Sequence, residues 1–429
     1  MRNFHWSFVV IATLFLAGCE RAEEVPQESL TWHPQVEAGK VLEGFVALDA
    51  MLDSAVNAGG IPGAEVLVVR QGEVVHHQVH GWSHPVDSVK LQKHSIFRIC
   101  SQTKALTSTA ALILWERGLL DLDDPVEQYI PSFAQLELLD SLSDDTTFTT
   151  IPHDRTMTIR HLLTHQSGLS YGAIGDPRFD RIYAKAGVVD LFTTEPLTAE
   201  ENCERLAQTA LIHAPGERWN YSLGLEVVVR VVEVVSGQPF DEFLKTELLD
   251  PLGMTDTHFY LPDSLADRLV PVFEPAEQGW KLHEHRQYTT DYPVAGARTF
   301  FGGGAGLSST ALDYAKFLQM YLNRGEFNGH RILQEATVDS IMSNQQGELL
   351  EGQGWYQGLA FGVQHEVGEA AGGSPAGTFF WSGYFNTAYA ADPSTGTIGV
   401  LMKQTYGAQD PTSGLFSSLV FPSSNDSAH

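Results

Sequence analysis

The stretch that decides the fold is Phe97-Arg98-Ile99-Cys100-Ser101-Gln102-Thr103-Lys104-Ala105-Leu106-Thr107. The apolar residues that follow predict a helix from Ser101 to Leu120. Residues at i and i+3 share a helix face, so the Ser101 hydroxyl and the Lys104 amine are expected side by side. Backbone amides at a helix start favour negative charge on the serine oxygen, and a desolvated lysine can accept its proton. The pattern predicts a nucleophilic serine with a lysine as its base.

On both sides of this helix the sequence predicts strands, so one sheet should combine the two ends of the chain. Toward the N-terminus a helix over Val41–Ala58 precedes two strand-like runs, Glu65–Arg70 and Glu73–His80. Toward the C-terminus the strand-like runs are Leu359–His365, Gly377–Trp381, Asn386–Asp392 and Ile398–Gln404, and a helix covers Ser413–Val420. Helices dominate between these ends, which predicts an α+β fold with an inserted helical subdomain. The polar stretch Ser141–Arg155 is expected to be an exposed insertion.

Four further blocks resemble, in order, those of the serine β-lactamase superfamily. They are Ile159-Arg160-His161-Leu162-Leu163-Thr164-His165-Gln166-Ser167-Gly168-Leu169, Tyr221-Ser222-Leu223-Gly224-Leu225, Gly302-Gly303-Gly304-Ala305-Gly306-Leu307 and Phe379-Phe380-Trp381-Ser382-Gly383-Tyr384. With the serine block they resemble class C β-lactamases, and family VIII carboxylesterases still more closely. The resemblance implies one β-lactamase/penicillin-binding-protein-like domain over residues 41–421, with flanking helices on an antiparallel sheet. Its α/β part would be about 41–100 and 300–421, and its helical part about 101–299.

The resemblance also implies roles for individual residues. Ser101 would be the nucleophile, Lys104 its proton acceptor and Tyr221 a second proton relay. The backbone amides of Ser101 and Tyr384 would form the oxyanion hole. Chemistry of this kind requires no metal and no organic cofactor.

Two departures from the β-lactamase pattern bear on the substrate. Tyr-x-Asn is replaced by Tyr221-Ser222-Leu223, and Lys-Thr-Gly by Trp381-Ser382-Gly383. The family's lysine attracts a substrate carboxylate, and an indole in its place removes a charge-assisted contact worth about 1.5–3 kcal/mol. We therefore expect Trp381, Ser382 and Gly383 to bind a neutral ester in preference to a penicillin or a D-Ala-D-Ala peptide. Lys403 or Arg298 could restore the positive charge from elsewhere in the chain.

Other patterns compete with this interpretation. Gly168-Leu169-Ser170-Tyr171-Gly172 matches GxSxG, but that motif needs a preceding strand, and the preceding run is helical. We expect a loop at the pocket mouth, where Tyr171 contacts substrate. His161 and His165 have the spacing of metal ligands on a helix, but no glutamate follows His161, so no metal site is predicted. Glycines 302–306 are expected to form a tight turn under the pocket.

A group of histidines and one cysteine also yield expectations. His76, His77 and His80 lie on a predicted strand, and we interpret them as a solvated face. Cys100, in an apolar stretch, is expected to be a buried free thiol.

The N-terminus has the features of a targeting segment. A short apolar run, too short to span a bilayer, ends in Leu16-Ala17-Gly18-Cys19, which resembles a bacterial lipobox. Residues 1–18 are predicted to be a signal peptide, Cys19 the lipidated residue, 19–40 a polar tether and 422–429 a tail. This predicts a periplasm-facing lipoprotein of the bacterial cell envelope, held to the membrane only by its lipid. Glu20 favours the outer membrane, because it differs from the aspartate that retains some lipoproteins in the inner membrane.

Composition narrows the function further. The 429 residues include 53 acidic and 26 basic ones, a net charge of −27, which argues against nucleic acid as a partner. The sequence predicts a serine hydrolase acting on a small-molecule ester and leaves the oligomeric state open. The alternatives are a β-lactamase or D-amino-acid peptidase and, in another class, a catalytically silent scaffold lipoprotein. The intact set of Ser101, Lys104 and Tyr221 favours an enzyme.

Overall fold

Strands from both ends of the chain meet in one sheet in a computed structural model, which describes residues 29–32, 43–284 and 289–422. The strands are β1 (Thr31–Trp32), β2 (Gly63–Arg70), β3 (Glu73–His84), β4 (Val89–Lys90), β5 (Phe97–Arg98), β6 (Leu138–Leu142), β7 (Phe148–Ile151), β8 (Phe273–Pro275), β9 (Trp280–Leu282), β10 (Ser308–Ser309), β11 (Glu326–Phe327), β12 (His330–Arg331), β13 (Trp355–Gln357), β14 (Gly362–Gln364), β15 (Phe379–Ser382), β16 (Ala388–Asp392) and β17 (Thr397–Met402). The helices are α1 (Glu43–Asn57), α2 (Thr103–Glu116), α3 (Ile159–Leu163), α4 (Pro177–Ala186), α5 (Ala199–Leu206), α6 (Gly224–Ser236), α7 (Phe240–Leu244), α8 (Ala311–Leu322), α9 (Glu335–Met342), α10 (Glu366–Ala370) and α11 (Thr412–Val420).

The main sheet has the order β1-β3-β2-β17-β16-β15-β14-β13. The contact between β2 and β17 is antiparallel and joins the two ends of the chain, as predicted. The other neighbours along this path are also antiparallel, except the short parallel pair β1 and β3. The α+β fold class is confirmed.

Alternation along the strands gives this sheet two apolar faces. On β2, Val66 and Val68 point to the outer face, which α1 and α11 cover, whereas Leu67 and Val69 point to the inner face. Gly399 of β17 lets α11 pack directly on the sheet, because a Cβ there would lie 2.8 Å from the Phe416 ring. The outer face thus holds a separate, smaller core.

The inner face supports the helices that carry the motifs. Helix α8 packs on β2, β16 and β17, and α2 packs against α6. Every residue of α2 from Thr103 to Leu114 is buried, including the polar ones. The segment that follows Ser101 is therefore fixed inside the largest core of the molecule.

Several predicted boundaries differ from the observed ones. Ser101 lies in a 3₁₀ turn, Cys100–Gln102, and α2 ends at Glu116 and not at Leu120. The stretch Ser141–Arg155 has no buried residue, as expected of an exposed insertion, and it contributes to the β6–β7 hairpin. Thr31–Trp32, predicted as part of the tether, pairs with β3 at the sheet edge.

The predicted solvated face of histidines is wrong. His76 and His80 are buried on the outer face, where their ring nitrogens lie 2.9 Å and 2.8 Å from carboxylate oxygens of Asp49 and Asp53 on α1. His77 points to the inner face and pairs with buried Glu65 at 2.7 Å, measured from Nε2 to Oε1. On the outer face the carboxylates of α1, 27 residues earlier in the chain, offset the cost of burying His76 and His80.

The predicted signal peptide 1–18, Cys19, most of the tether and residues 423–429 of the tail lie outside the described residues. Within the described part, no helix has the length and apolar character needed to cross a membrane.

Candidate active site

The predicted nucleophile, Ser101, is presented by a strained turn. Cys100, directly before it, has φ +46°, a left-handed conformation that side chains rarely adopt. The turn is anchored on one side by Ile99, whose N–H donates to the Leu307 carbonyl at 3.0 Å. Cys100 and Cys203 are buried free thiols, and burial raises the pKa of Cys100 to about 12. The expectation of a buried free thiol at Cys100 is confirmed, and the thiol remains protonated at neutral pH.

Lys104 joins the serine to the glycine-rich turn. Its Nζ lies 3.3 Å from Ser101 Oγ and donates to the Gly304 carbonyl at 2.7 Å. Lys104 is 4% exposed, so these contacts form away from bulk water. The predicted turn of glycines thus provides a fixed backbone acceptor for the amine.

Tyr221 completes the predicted set from the loop before α6. The Lys104 Nζ lies 4.7 Å from the centroid of its ring. The Tyr221 hydroxyl is buried and makes no direct hydrogen bond within the described residues. The fold therefore brings Ser101, Lys104 and Tyr221 together, and it leaves the tyrosine oxygen uncommitted.

The third motif runs past the nucleophile at very close range. A Cβ on Gly383 would lie 2.5 Å from the Ile99 carbonyl oxygen, so only glycine fits there. The next residue, Tyr384, brings its backbone amide close enough to the Cys100 thiol to act against the effect of burial on the pKa of that thiol. This places the Tyr384 amide beside Cys100, the residue directly before Ser101.

Trp381 forms an aromatic wall of the site. Its ring is 5.8 Å from that of Tyr221 and stacks on His165 at 6.4 Å, measured between centroids. It lines a cavity of about 10 Å³ beside Ser101 and Lys104, and also a groove of about 470 Å³ between β15, β16 and α11. Ser382, next to it, is exposed.

One alternative source of positive charge, Lys403, is committed elsewhere. It is fully buried, forms an ion pair with Asp410 and donates to Thr412 Oγ1 at 2.8 Å. The other, Arg298, is exposed, with its guanidinium 3.7 Å from an Asp263 oxygen. The site therefore has an indole where β-lactamases have a lysine, and Lys403 does not substitute for that lysine.

The prediction that Tyr171 contacts substrate is not supported. Its side chain is 1% exposed and stacks on the inner side of Tyr221, with ring centroids 5.1 Å apart. Burial, together with neighbouring Tyr221 and Glu226, raises the pKa of Tyr171 well above its usual value. Tyr171 supports the tyrosine from behind and does not line the pocket mouth.

His165 is a site residue that the sequence interpretation undervalued. Its ring packs between Tyr221, at 4.6 Å, and Trp381, and the Ser222 N–H donates to its Nδ1 at 3.3 Å. Burial and the charge of Lys104 hold the pKa of His165 well below its usual value, so the ring is neutral. The signal in the sequence was the His161/His165 pair, which we tested only as metal ligands.

The two histidines of that pair serve separate purposes. His161 completes the capping box of α3 with Thr158, each accepting a hydrogen bond from the other's backbone amide. Across the described ranges, no three His, Cys, Asp or Glu side chains form a potential metal site.

The family model described as Beta-lactamase matches residues 48–415. The chain belongs to the β-lactamase family. This confirms the predicted family, and with it the predicted enzyme class, a hydrolase related to β-lactamases.

Members of the family that resemble this chain include named esterases. Esterase EstB from Burkholderia gladioli is 30% identical over 375 residues, covering 83% of this chain and 90% of the relative. Lovastatin esterase from Penicillium rubens is 31% identical over 305 residues, covering 70% and 73%. The solved structure of EstCE1, described as a hydrolase with promiscuous acyltransferase activity, has a TM-score of 0.76 at 25% identity and covers 88% of this chain and 98% of its own.

Proposed function

We propose that this β-lactamase-family protein hydrolyses small neutral carboxylic esters through an acyl-enzyme on Ser101. One observation carries the proposal: the Ser101, Lys104 and Tyr221 side chains converge beside an indole, Trp381, at the position of the family's carboxylate-binding lysine. A neutral acyl group needs no cation there, and the aromatic wall buries its apolar surface. The esterases named among the relatives support the same substrate class.

The proposed reaction has two stages. Ser101 Oγ attacks the ester carbonyl while its proton passes to Lys104 or Tyr221, and the amides of Ser101 and Tyr384 stabilise the oxyanion. Collapse of the tetrahedral intermediate breaks the bond to the alcohol, which leaves with the transferred proton. Water then attacks the acyl-serine and gives up a proton to the same pair, which returns it to Ser101 Oγ as the acyl–oxygen bond breaks and the carboxylic acid leaves. An alcohol can replace water in this second stage, and the promiscuous acyltransferase activity of EstCE1 supports that variant.

The direct test compares ester and β-lactam hydrolysis in wild type and Ser101→Ala. We expect wild type to cleave a chromogenic short-chain ester much faster than a chromogenic cephalosporin, and Ser101→Ala to lose ester cleavage. Ser170→Ala is the matched control, because Ser170 occupies the GxSxG motif and its hydroxyl is engaged with the Tyr171 carbonyl at 3.1 Å. Activity lost in Ser170→Ala and kept in Ser101→Ala would refute the proposal. Fast cephalosporin turnover would refute the role given to Trp381.

We further propose that the protein is a lipoprotein facing the periplasm, attached through Cys19 and favouring the outer membrane. The lipobox-like Leu16-Ala17-Gly18-Cys19 supports this location. The experiment is fractionation of cells that express wild type or Cys19→Ala. Membrane-associated wild type and released variant are expected, and a variant that stays on the membrane would contradict lipid anchoring.

A further inference from the structure

Glu226, in the first turn of α6, is an acid in the core that the proposed reaction has not used. It is 4% exposed, and both of its carboxylate oxygens accept backbone hydrogen bonds from one turn. The Gly303 N–H donates to Oε2 and the Gly304 N–H to Oε1, each at 2.9 Å. A buried carboxylate is costly, so this two-point contact makes the side chain a specific clamp on the glycine turn.

The other side of the same turn faces the proposed catalytic helix. The Gly304 carbonyl accepts from Lys104 Nζ at 2.7 Å, and the Gly303 carbonyl accepts from Thr107 Oγ1 at 2.8 Å. Gly303 and Gly304 therefore each donate an N–H to Glu226 on α6 and offer a carbonyl to a side chain of α2. A shift of the Gly304 backbone would move the carbonyl that directs Lys104 toward Ser101.

The surroundings of Gly304 show how close the charged groups lie to one another. A Cβ at this position would lie 2.7 Å from Glu226 Oε1, 3.1 Å from the Tyr171 hydroxyl and 3.4 Å from Lys104 Nζ. The carboxylate and the amine thus both lie within 3.4 Å of one point, beside the Tyr171 hydroxyl. In a site of low polarity, a negative charge so near stabilises an ammonium at Lys104.

We propose that Glu226 is a positioning residue for Lys104. It holds the Gly304 carbonyl that orients the amine, and its charge stabilises the ammonium formed when the Ser101 proton moves to Nζ. It touches neither substrate nor the reacting atoms. This inference rests on the proposed function of Ser101 and Lys104, and it adds to that function the group that sets their alignment.

The ionisation of Glu226 gives the role a pH signature. Burial raises the pKa of Glu226 to about 7, although the two amides and Lys104 act in the opposite direction. The titratable and charged groups that face it are Lys104 of α2, Tyr171, Asp190, Cys203 of α5 and Tyr292. Above its pKa the carboxylate supports the Lys104 ammonium, and below it that support is lost, so the rate of acylation should fall as the pH drops through neutrality.

The experiment uses Glu226→Gln, Glu226→Asp and the control Glu233→Gln in the full protein. Glu233 lies on the same helix, but it pairs with Arg230, 3.4 Å away. We measure kcat and KM for a short-chain ester from about pH 5.5 to 8.5, the rate at which a fluorophosphonate labels Ser101, and thermal unfolding. The labelling rate measures the reactivity of Ser101 itself, so it does not depend on which ester is the substrate.

We expect Glu226→Gln to lower kcat and the labelling rate about 10- to 100-fold, with KM changed less than about threefold. Its profile should lose the step near neutral pH, Glu226→Asp should recover part of the rate, and Glu233→Gln should match wild type. Equal labelling rates and profiles in wild type and Glu226→Gln would overturn the inference, as would a loss in Glu233→Gln of the same size. Wild type that is not labelled at all would instead refute the proposed function of Ser101.

Discussion

The two faces of the central sheet both bury histidines, but the pKa of His165 on the inner face is lowered and that of His80 on the outer face is raised. On the inner face, His165 is surrounded by aromatic rings, and burial and the Lys104 charge lower its pKa. On the outer face, burial acts in the same direction on His80, but Asp49 and Asp53 outweigh it and raise its pKa. The comparison teaches that burial alone does not fix the pKa of an imidazole, because at His80 the two carboxylates of α1 outweigh it.

The faces also differ in what they leave unpaired. On the outer face, helix α1 supplies acids to the histidines, and these contacts connect two elements of the fold. On the inner face, the Tyr221 hydroxyl makes no direct hydrogen bond among the described residues, and Cys100 keeps a strained backbone. Groups with an uncommitted atom or stored strain are typical of sites of chemistry, and paired groups are typical of regions that stabilise the fold.

The largest effect should come from Tyr221→Phe, which tests the inner face. Loss of a proton relay is expected to lower kcat by about 10²- to 10⁴-fold. The melting temperature should not fall, because the hydroxyl gives up no direct hydrogen bond and the ring stays stacked. Ester kinetics and thermal unfolding measure both quantities. The control, Tyr183→Phe, removes a hydroxyl that accepts from the Ser170 N–H at 3.1 Å and should lower stability while keeping turnover. Full activity in Tyr221→Phe would contradict the proposed difference between the inner and outer faces.

The outer face should respond in the opposite way to Asp49→Asn. His76 and His80 both lie within 3.2 Å of one Asp49 oxygen, so the free energy of unfolding should fall by about 1–3 kcal/mol. Turnover should stay unchanged, since these groups lie on the face away from Ser101. Denaturant unfolding measures the difference. Asp87→Asn is the control, an exposed partner of His84 whose loss should have little effect on stability.

The pKa shifts of Asp49 and His80 determine how the difference in stability between wild type and Asp49→Asn depends on pH. Burial alone would raise the pKa of Asp49, but its histidine partners lower it, so its contribution is present above the unfolded value of 3.8 and lost as the pH falls through the folded pKa. The contribution of His80, whose pKa is raised, is present below 6.5 and lost as the pH rises through the folded pKa. The difference between wild type and Asp49→Asn should therefore be largest between these two values. A difference that grows above this window would contradict the pairing.

The residues predictable from sequence are those whose partners are local or belong to a motif. Ser101 and Lys104 lie one turn apart, so their contact follows from helical spacing, and the alternating strand runs predicted the sheet that joins the chain ends. The fate of the β3 histidines depended on acids of α1, 27 residues earlier in the chain, which no local pattern reveals. Burial of Tyr171 was equally invisible, because a loop tyrosine shows its depth only after the helices pack.

Glu226 illustrates a different reason for a missed residue. The backbone amides that donate to it belong to glycines 77 and 78 positions later in the chain. Every residue except proline has such an amide, so the sequence does not show which of them binds the carboxylate. The only local signal was an acid within the apolar run of α6. Side chains that bind backbone are thus the part of a site that motif spacing describes least.

The smallest expected effect is the change in stability with pH in His165→Gln and His80→Gln, which compares the two histidines directly. The stabilities of each variant and wild type are compared by thermal unfolding from about pH 5 to 8. At His165, the native state stays neutral while the unfolded state takes up a proton below 6.5, so wild type loses stability relative to the variant by about 1 kcal/mol per pH unit. At His80 the sign is reversed, because the native state holds the proton more tightly and wild type gains on its variant as the pH falls toward 6.5. Parallel slopes for the two variants would show that the carboxylates of α1 do not set the charge of His80, and the distinction between the faces would fail.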